Sequence, residues 1–454
     1  MAVRLNHAIA VLAVLAALGI LMFPPVPSHQ APALALSIAA IGLWASAAVP
    51  EYLTSIGFLT IAMIFAVAPA SVVFSGFQAP ALWLIFGGLV VGVAVRTTGL
   101  GARIARRMAF AFGSSYWGVI TGVGVIGTVL GFAMPSSIGR AVLMMPIALS
   151  LAEGYGFPPG SKGRVGVILA AAFGSHVATF SILPANVPNV VMVGAAEALY
   201  HVSFTYGEYL LLHFPVLGVL KLALMIPLIV WMFPDTPGPV PAHDSQPMTG
   251  REKYLGVILV LALGFWATDA WHHISPAWVS MAAALILLSP KIGLVGSDEF
   301  NRQINFGSMF YVGGVMGMGA LLDKSGLASA MADQILHWVP LAPDRPVGNF
   351  TGLAMISTVV SMATTLTGAP AVLTPLAARI ADVTGLPLMT VLHSQVLGFS
   401  NPVLVYESPP LVVAMALGGE PMGSAQRICL ILAALTMLVL WPLDFLWWHL
   451  LGLI

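Results

Sequence analysis

The chain has 454 residues, of which 59% are hydrophobic and only 7% are charged, and its formal net charge is zero. Soluble proteins carry about 25% charged residues, so this composition excludes a soluble protein and indicates an integral membrane protein. The balanced charge gives no indication of nucleic acid as a partner. The single cysteine, Cys429, lies in an apolar run and is expected to be a small core residue.

The first apolar stretch begins near residue 9 and ends near residue 23. It follows Arg4 and resembles the hydrophobic part of a signal peptide. More apolar stretches of membrane-spanning length follow directly, so we expect a retained first helix within residues 1–32.

The rest of the chain divides into two halves of similar plan. We expect a first repeat at residues 33–233, a cytoplasmic loop rich in Pro, Asp and His at 234–252, and a second repeat at 253–454. The fold class that we predict is an all-α integral membrane protein with about eleven transmembrane helices and two re-entrant hairpins. The predicted transmembrane helices lie near residues 8–23, 33–49, 54–70, 79–96, 165–183, 209–233, 253–269, 276–289, 305–322, 388–405 and 428–449.

The two halves share a spaced pattern. Each contains a Gly-Gly pair that opens an apolar stretch, and each then has an apolar run that ends in proline. Gly99 and Pro146 are 47 residues apart in the first half, and Gly326 and Pro375 are 49 residues apart in the second. Interrupted hydrophobic segments at corresponding positions of two repeats point to the binding site of a secondary transporter.

The interrupted segments lie near residues 115–152 and 348–383. Each is too long for one crossing and is broken by polar residues near its middle. We predict that each is a re-entrant hairpin of two half-helices. Irregular backbone within a membrane is tolerated only where protein or a wet cavity surrounds it.

The distribution of basic residues favours opposite orientations for the halves. Lys and Arg accumulate on the cytoplasmic side of membrane proteins. The segment after the first Gly-Gly pair is basic, whereas its counterpart in the second half is not. The basic residues of the first segment are Arg96, Arg103, Arg106 and Arg107, and the counterpart holds Lys324, Asp323 and Asp333. We therefore expect inverted-topology repeats in the inner (plasma) membrane, with an odd number of crossings per half, a cytoplasmic N-terminus and a C-terminus outside.

The first break offers an anion site. Ser136 is a suitable N-cap for the second half-helix, whose free N–H groups and partial positive charge favour an anion. Arg140, one turn further on, carries a guanidinium suited to a carboxylate. We predict Ser136, Ser137 and Arg140 as substrate ligands. The alternative for Arg140 is a role in helix packing.

The second break is rich in hydroxyl groups. We predict that Thr365 and Thr367 bind substrate, and that Thr364 and Gly368 belong to a cation-binding or coupling site through free carbonyl oxygens. The alternative is ordinary packing, since threonine is common where membrane helices meet.

A proline interrupts the chain again after each hairpin. Asn186 precedes Pro188 in the first half, and Glu407 and Ser408 precede Pro409 in the second. Proline removes a backbone donor and unwinds a helix, which exposes backbone carbonyl groups. We predict Asn186, Ser408 and Pro409 as substrate-binding residues.

Ionisable residues inside membrane spans are costly and usually functional. Glu407 is predicted to be the coupling carboxylate, as a proton acceptor or a cation ligand. The alternative is a structural ion pair with Arg140 or Lys221. His176 and His393 occupy corresponding helices of the halves and could either shuttle protons or make satisfied polar contacts.

At these residues the chain resembles the divalent anion:sodium symporter (DASS) family of dicarboxylate, citrate and sulfate carriers. The family motif Ser-Asn-Thr, ten residues before a proline, aligns with Ser136-Ser137-Ile138 and with Thr365-Leu366-Thr367. Neither hairpin keeps the family's Asn, and Ile138 replaces the first Thr. The resemblance implies a homodimer, an elevator movement of the hairpin-bearing part past a fixed scaffold, and symport with sodium in most members.

We therefore expect a secondary active transporter for a small di- or tricarboxylate or sulfate-like anion, working by an elevator mechanism. We expect coupling to Na⁺ or H⁺, no organic cofactor, and the bilayer and a second copy as partners. The alternative is a sodium/proton or other ion antiporter in which Glu407 is the ion site and Arg140 is structural. We expect no enzyme, because the metalloprotease, hydrolase and phosphate-loop motifs are absent from the sequence.

Overall fold

The computed structural model describes residues 2–46, 48–104, 115–238 and 247–454. These ranges form helices joined by short loops, with no β-strand among them, which confirms the all-α expectation for this part of the chain. The helices of the first half are Ala2–Met22, Ala31–Ser46, Glu51–Ile64, Ala70–Val73, Pro80–Thr98, Tyr116–Ala133, Ser137–Gly154, Lys162–Gly174, Val187–Tyr200 and Tyr206–Met232. Those of the second half are Gly250–Ala267, Asp269–His272, Pro276–Leu288, Ser297–Gln303, Phe306–Lys324, Leu327–Trp338, Pro346–Ala363, Gly368–Leu373, Ala377–Thr384, Leu388–Phe399, Pro409–Gly418 and Met422–Leu450.

Seven helices in the described ranges are long and apolar enough to cross a membrane. They are Pro80–Thr98, Tyr116–Ala133, Ser137–Gly154, Lys162–Ser181, Tyr206–Met232, Pro346–Ala363 and Met422–Leu450. The pair Ser297–Gln303 and Phe306–Lys324, bent by 52°, adds an eighth if it is one span. Shorter apolar helices of 10–17 residues occur as well, so the expected number of eleven crossings stays a prediction.

The first interrupted segment consists of two helices, Tyr116–Ala133 and Ser137–Gly154. Each has 18 residues. A helix of that length extends about 27 Å, close to the thickness of the hydrocarbon core. Length alone therefore does not separate a re-entrant path from two crossings, and the re-entrant hairpin stays a prediction.

Helices of the two halves pack in reciprocal pairs. Pro80–Thr98 of the first half lies against Pro276–Leu288 of the second. The helices at the corresponding positions, Phe306–Lys324 and Glu51–Ile64, lie against each other in the same way. Such an exchange of partners is what two halves related by an approximate two-fold axis produce. The direction of that axis relative to the membrane, and hence the inversion, stays a prediction.

The two breaks are also packed reciprocally, each against a helix of the opposite half. Ser137–Gly154, which follows the first break, contacts Pro409–Gly418 of the second half. Gly368–Leu373, which follows the second break, contacts Val187–Tyr200 of the first half. Each break therefore meets the interrupted helix of the opposite half, and residues that are far apart in sequence come together at the centre.

The Gly-Gly pairs permit close helix contacts at this centre. A Cβ atom added at Gly88 would lie 2.5 Å from Cγ of Pro135, and one added at Gly314 would lie 2.6 Å from Cβ of Ser55. Because non-bonded carbon atoms do not approach that closely, any larger residue would push the packed elements apart. Gly88 thus lets Pro135, at the first break, pack directly against Pro80–Thr98.

An ion pair anchors the start of the second half. Its first helix begins at Gly250 with Thr249 as N-cap, so the loop predicted to end at residue 252 ends at Thr249. Arg103 Nε donates to Glu252 Oε1 at 2.6 Å, and the Thr249 N–H donates to Glu252 Oε2 at 2.7 Å. These bonds lower the pKa of Glu252 from 4.5 to about 2, and the bond from Arg103 has the largest effect.

A folded-state pKa below the ordinary value means that Glu252 stabilises the fold above about pH 4.5 and loses this contribution as the pH falls towards about 2. We expect Glu252→Gln to lower the melting temperature near neutral pH, and the difference from wild type to shrink over that interval. Thermal unfolding in detergent across the interval measures it. Glu299→Gln is the control, because Glu299 caps a helix without an ion pair among the described residues. A wild-type-to-variant difference that persists at the acid end would contradict the assignment.

Candidate functional site

A single cavity of about 280 Å³ brings the interrupted segments of both halves together. Its wall contains residues 135–139, 186–188, 366–367 and 407–410. Polar and ionisable residues from other elements complete it, namely Glu51, Arg96, His176, Gln303, Asn305, Ser308 and Tyr311. The structure therefore brings seven of the predicted site residues to one cavity: Ser136, Ser137, Asn186, Thr367, Glu407, Ser408 and Pro409.

The first break has the local geometry of a capped helix start. The Gly139 N–H donates to Ser136 Oγ at 3.1 Å, so Ser136 is the N-cap, as predicted. Ser137 Oγ donates to Asn186 Oδ1, and Asn186 Nδ2 donates to Thr179 Oγ1 at 3.0 Å. These bonds hold the break against the interrupted helix that follows it. The start of the helix, with its unpaired N–H groups, lies at the cavity wall.

Arg140 lies behind this wall and is 0% exposed. Its Nε donates to the Ser175 carbonyl at 2.7 Å, and its Nη1 donates to the carbonyls of Met134 and, at 2.9 Å, Ala185. Its Nη2 donates to Thr179 Oγ1 at 2.9 Å. All three guanidinium nitrogens therefore bond to oxygens of the protein itself.

Arg140 does not line the cavity, and the geometry gives no support to its predicted role as a substrate ligand. Nor does it form an ion pair with Glu407 among the described residues. The helix interruptions leave carbonyl groups without helical partners, and the guanidinium satisfies them. Its position fits the structural alternative, in which Arg140 braces the first break.

Arg96 supplies the guanidinium that does line the cavity. It lies in the last turn of Pro80–Thr98, and its Nη1 is 3.3 Å from the position that a Cβ would take at Gly139. Arg96 has no hydrogen bond or ion pair with the residues that the structure describes. The sequence analysis assigned Arg96 only to a basic cytoplasmic segment. The available signal was its position inside the predicted span 79–96, whereas the other arginines of that segment follow the span.

The second break contributes fewer side chains to the cavity than predicted. Thr367 lines it, and the Tyr311 hydroxyl faces both Thr365 and Thr367. Thr365 Oγ1 instead accepts a bond from the Gly368 N–H at 3.1 Å, and Thr364 Oγ1 donates to a carbonyl of the preceding helical turn at 2.7 Å. Thr364, Thr365 and Gly368 thus shape the break without lining the cavity.

Glu407 is fully buried and lines the cavity. Its Oε1 accepts a bond from the Leu404 N–H at 2.6 Å, whereas its Oε2 has no hydrogen bond of ordinary geometry in the described part of the chain, although the Val403 N–H faces the carboxylate. The Leu366 N–H donates to the Glu407 carbonyl at 3.1 Å, which ties Glu407 to the second break. A buried acceptor without a partner is costly, so this oxygen is suited to a proton or a cation.

The two predicted histidines differ in their surroundings. His176 lines the cavity and faces Asn186, but neither of its ring nitrogens has a hydrogen bond of ordinary geometry to the described residues. His393 lies elsewhere, with its Nδ1 3.0 Å from Nε2 of His213. Only His176 is therefore placed to exchange a proton with the cavity.

Comparison with known proteins adds to this geometry. Residues 4–454 match the family described as the sodium:sulfate symporter transmembrane region. The chain is 26% identical to the inner membrane protein YbhI of Escherichia coli K12 over 84% of this chain and 82% of that protein. It is 25% identical to the L-tartrate/succinate antiporter of the same organism, over 68% of this chain and 65% of that protein. It is 24% identical to a membrane protein of Cupriavidus necator, and this match covers 55% of this chain and only 50% of that protein.

A solved structure shares the fold. The YdaH transporter of Alcanivorax borkumensis aligns with a TM-score of 0.53, over 87% of this chain and 89% of that protein. The identity is 14%, so this likeness concerns the fold alone.

Proposed function

Because the chain belongs to the sodium:sulfate symporter (DASS) family of membrane transporters, we propose that it carries a small di- or tricarboxylate anion across the membrane by secondary active transport. The observation that carries this proposal is the position of Arg96. A guanidinium without a hydrogen-bond or ion-pair partner in the described ranges lies beside the first turn of Ser137–Gly154, where the helix dipole is also positive. These two positive groups favour an anion with carboxylate oxygens.

The size and lining of the cavity support a compact substrate. Ligand sites in proteins usually occupy about 300–1,000 Å³, and this cavity lies at the lower limit of that range. Hydroxyl and amide groups of Thr367, Ser408, Asn305 and Tyr311 surround it. The antiporter of Escherichia coli named above supports a dicarboxylate such as tartrate or succinate as the first candidate.

We assign the coupling ion, Na⁺ or H⁺, to Glu407. The oxygens around Arg140 already have a cationic partner in its guanidinium. Glu407 Oε2, in contrast, is a buried acceptor at the cavity wall without a hydrogen bond of ordinary geometry among the described residues. A coupling cation therefore has its best-suited position in the second half.

The second candidate function is an ion antiporter. The structural role of Arg140 favours it, because Arg140 would then brace the helices and Glu407 would be the ion site. Arg96 distinguishes the two functions, since an antiporter of cations has no need of a guanidinium at its ion pathway.

We further propose an elevator movement of the break-bearing helices against Pro80–Thr98 and Phe306–Lys324. We place this movement within a homodimer in the inner membrane with a cytoplasmic N-terminus.

A counterflow screen in proteoliposomes tests the substrate. Radiolabelled succinate, tartrate, citrate and sulfate are offered to vesicles loaded with the same unlabelled anion, and sodium and pH gradients are then imposed separately. We expect exchange of at least one dicarboxylate. Cation exchange without movement of any of these anions would instead support the ion antiporter.

Arg96→Gln is expected to raise the KM for the dicarboxylate about 10- to 100-fold, because a charge-assisted hydrogen bond contributes about 1.5–3 kcal/mol. Uptake rates across a range of substrate concentrations measure this change. Arg251→Gln is the control, since Arg251 bonds to the Leu294 carbonyl outside the cavity. An unchanged KM in Arg96→Gln would remove Arg96 from substrate binding.

A further inference from the structure

A second group of buried ionisable residues lies between the helices that end the two halves. Lys221, on Tyr206–Met232, is 1% exposed, and Asp444, on Met422–Leu450, is 0% exposed. Neither residue lines the cavity described above. Ionisable residues inside membrane spans are rare, and they usually bind an ion or a proton.

Both helices are wound irregularly at this level. A π-helical segment, Phe214–Leu220, ends immediately before Lys221, and another, Thr436–Leu440, ends four residues before Asp444. The two segments contact each other. π-Helical turns inside α-helices are uncommon and frequently mark functional sites. The irregular winding thus coincides with the two buried charges.

The two ionisable side chains differ in how well they are bonded. Lys221 Nζ donates to the carbonyl of Ser400 at 2.7 Å. Neither carboxylate oxygen of Asp444 has a hydrogen bond to the described residues, and Trp448 faces the carboxylate without a bond of ordinary length. Lys221 acts on Asp444 electrostatically but lies beyond ion-pair distance. An ionised carboxylate without bonds in such a place is costly, and a bound proton removes that cost.

Other titratable groups lie close to this pair. His213 lies against Trp448 with ring centres 5.9 Å apart, and its Nε2 is 3.0 Å from His393. Cys429 lies within the electrostatic range of both Lys221 and Glu407. His176, which lines the substrate cavity, also lies within the electrostatic range of Lys221. The ring of Tyr209 packs against His213 and His393. His176 directly, and Glu407 through Cys429, therefore connect the pair electrostatically to the substrate cavity.

We propose that Asp444 and Lys221 form a proton-binding site in the protein core, separate from the substrate cavity. One proton from water adds to a carboxylate oxygen of Asp444, and the pair changes from neutral to positive; release of that proton to water reverses the change. Lys221 is bonded to the carbonyl of Ser400, which follows Leu388–Phe399 and precedes Glu407. The charge on Asp444 therefore changes the electrostatic environment of Lys221, and Lys221 binds the segment that leads to the cavity. The link to transport rests on the proposed function, whereas proton binding does not.

Infrared spectroscopy of the purified protein tests proton binding directly. We expect a carbonyl band of a protonated carboxylic acid that disappears as the pH is raised and is absent in Asp444→Asn. Asp269→Asn is the matched control, because Asp269 is also buried but accepts bonds from the backbone N–H groups of Tyr206 and Gly207. The band must persist in Asp269→Asn and in Glu407→Gln. If wild type shows no titrating band that Asp444→Asn removes, the proposal is overturned.

The double variant Lys221→Met/Asp444→Leu removes both charges, so it leaves no unpaired charge in the core if Asp444→Asn fails to fold. We expect it to keep counterflow at equal pH within about threefold of wild type and to lose stimulation by an inward proton gradient. Gradient stimulation equal to that of wild type would show that the pair has only a structural role and would overturn the proposal. Absence of anion counterflow in wild type at every pH would instead refute the proposed function, and it would leave the infrared result intact.

Discussion

Arg140→Ala is expected to destabilise the protein by about 3–5 kcal/mol and to abolish transport, because it leaves buried oxygens without their cationic partner. Those oxygens belong to Met134, Ser175, Thr179 and Ala185, on both sides of the first break. Thermal unfolding in detergent and anion counterflow in proteoliposomes measure the two effects.

Two variants accompany this measurement. Arg140→Lys keeps the charge but cannot reach all the acceptors, so we expect intermediate stability. Arg379→Ala is the control, because Arg379 pairs with Asp333 at 2.8 Å on the exposed surface, away from the substrate cavity, and its loss is expected to leave the stability nearly unchanged. If Arg140→Ala keeps its melting temperature and raises only the KM, Arg140 is a substrate ligand after all.

Glu407→Gln is expected to reduce uptake driven by a cation gradient at least about tenfold, while exchange at equal ion concentrations continues. Glutamine can still accept the bond from the Leu404 N–H, so the local fold is kept. It provides neither the negative charge nor the proton-accepting oxygen that coupling requires. Uptake with separately imposed sodium and pH gradients identifies which cation is involved.

The control for this variant is Glu420→Gln. Glu420 is also buried, but it pairs with Arg164 and does not line the substrate cavity. We expect its gradient dependence to equal that of wild type. If Glu407→Gln also responds to both gradients as wild type does, Glu407 takes no part in coupling.

Local features of the site follow from short stretches of sequence. Ser136 caps a helix because a serine after Pro135 and before an apolar run offers its oxygen to the free N–H groups. Pro135, Pro188 and Pro409 lie where helices are interrupted, and the cavity is lined at each of these places. These predictions succeed because capping and proline geometry depend on neighbours within one helical turn.

The membrane class, the transporter family and the position of the breaks were therefore determined by the sequence alone. Only the tertiary structure decided which arginine faces the cavity. A guanidinium on a long flexible side chain turns towards the nearest unpaired oxygens, and for Arg140 most of these come from residues 175–186, more than thirty positions away. Arg96 reaches the cavity because the end of its helix packs beside Gly139. Such contacts depend on how distant segments pack together, which composition and spacing along one chain do not specify.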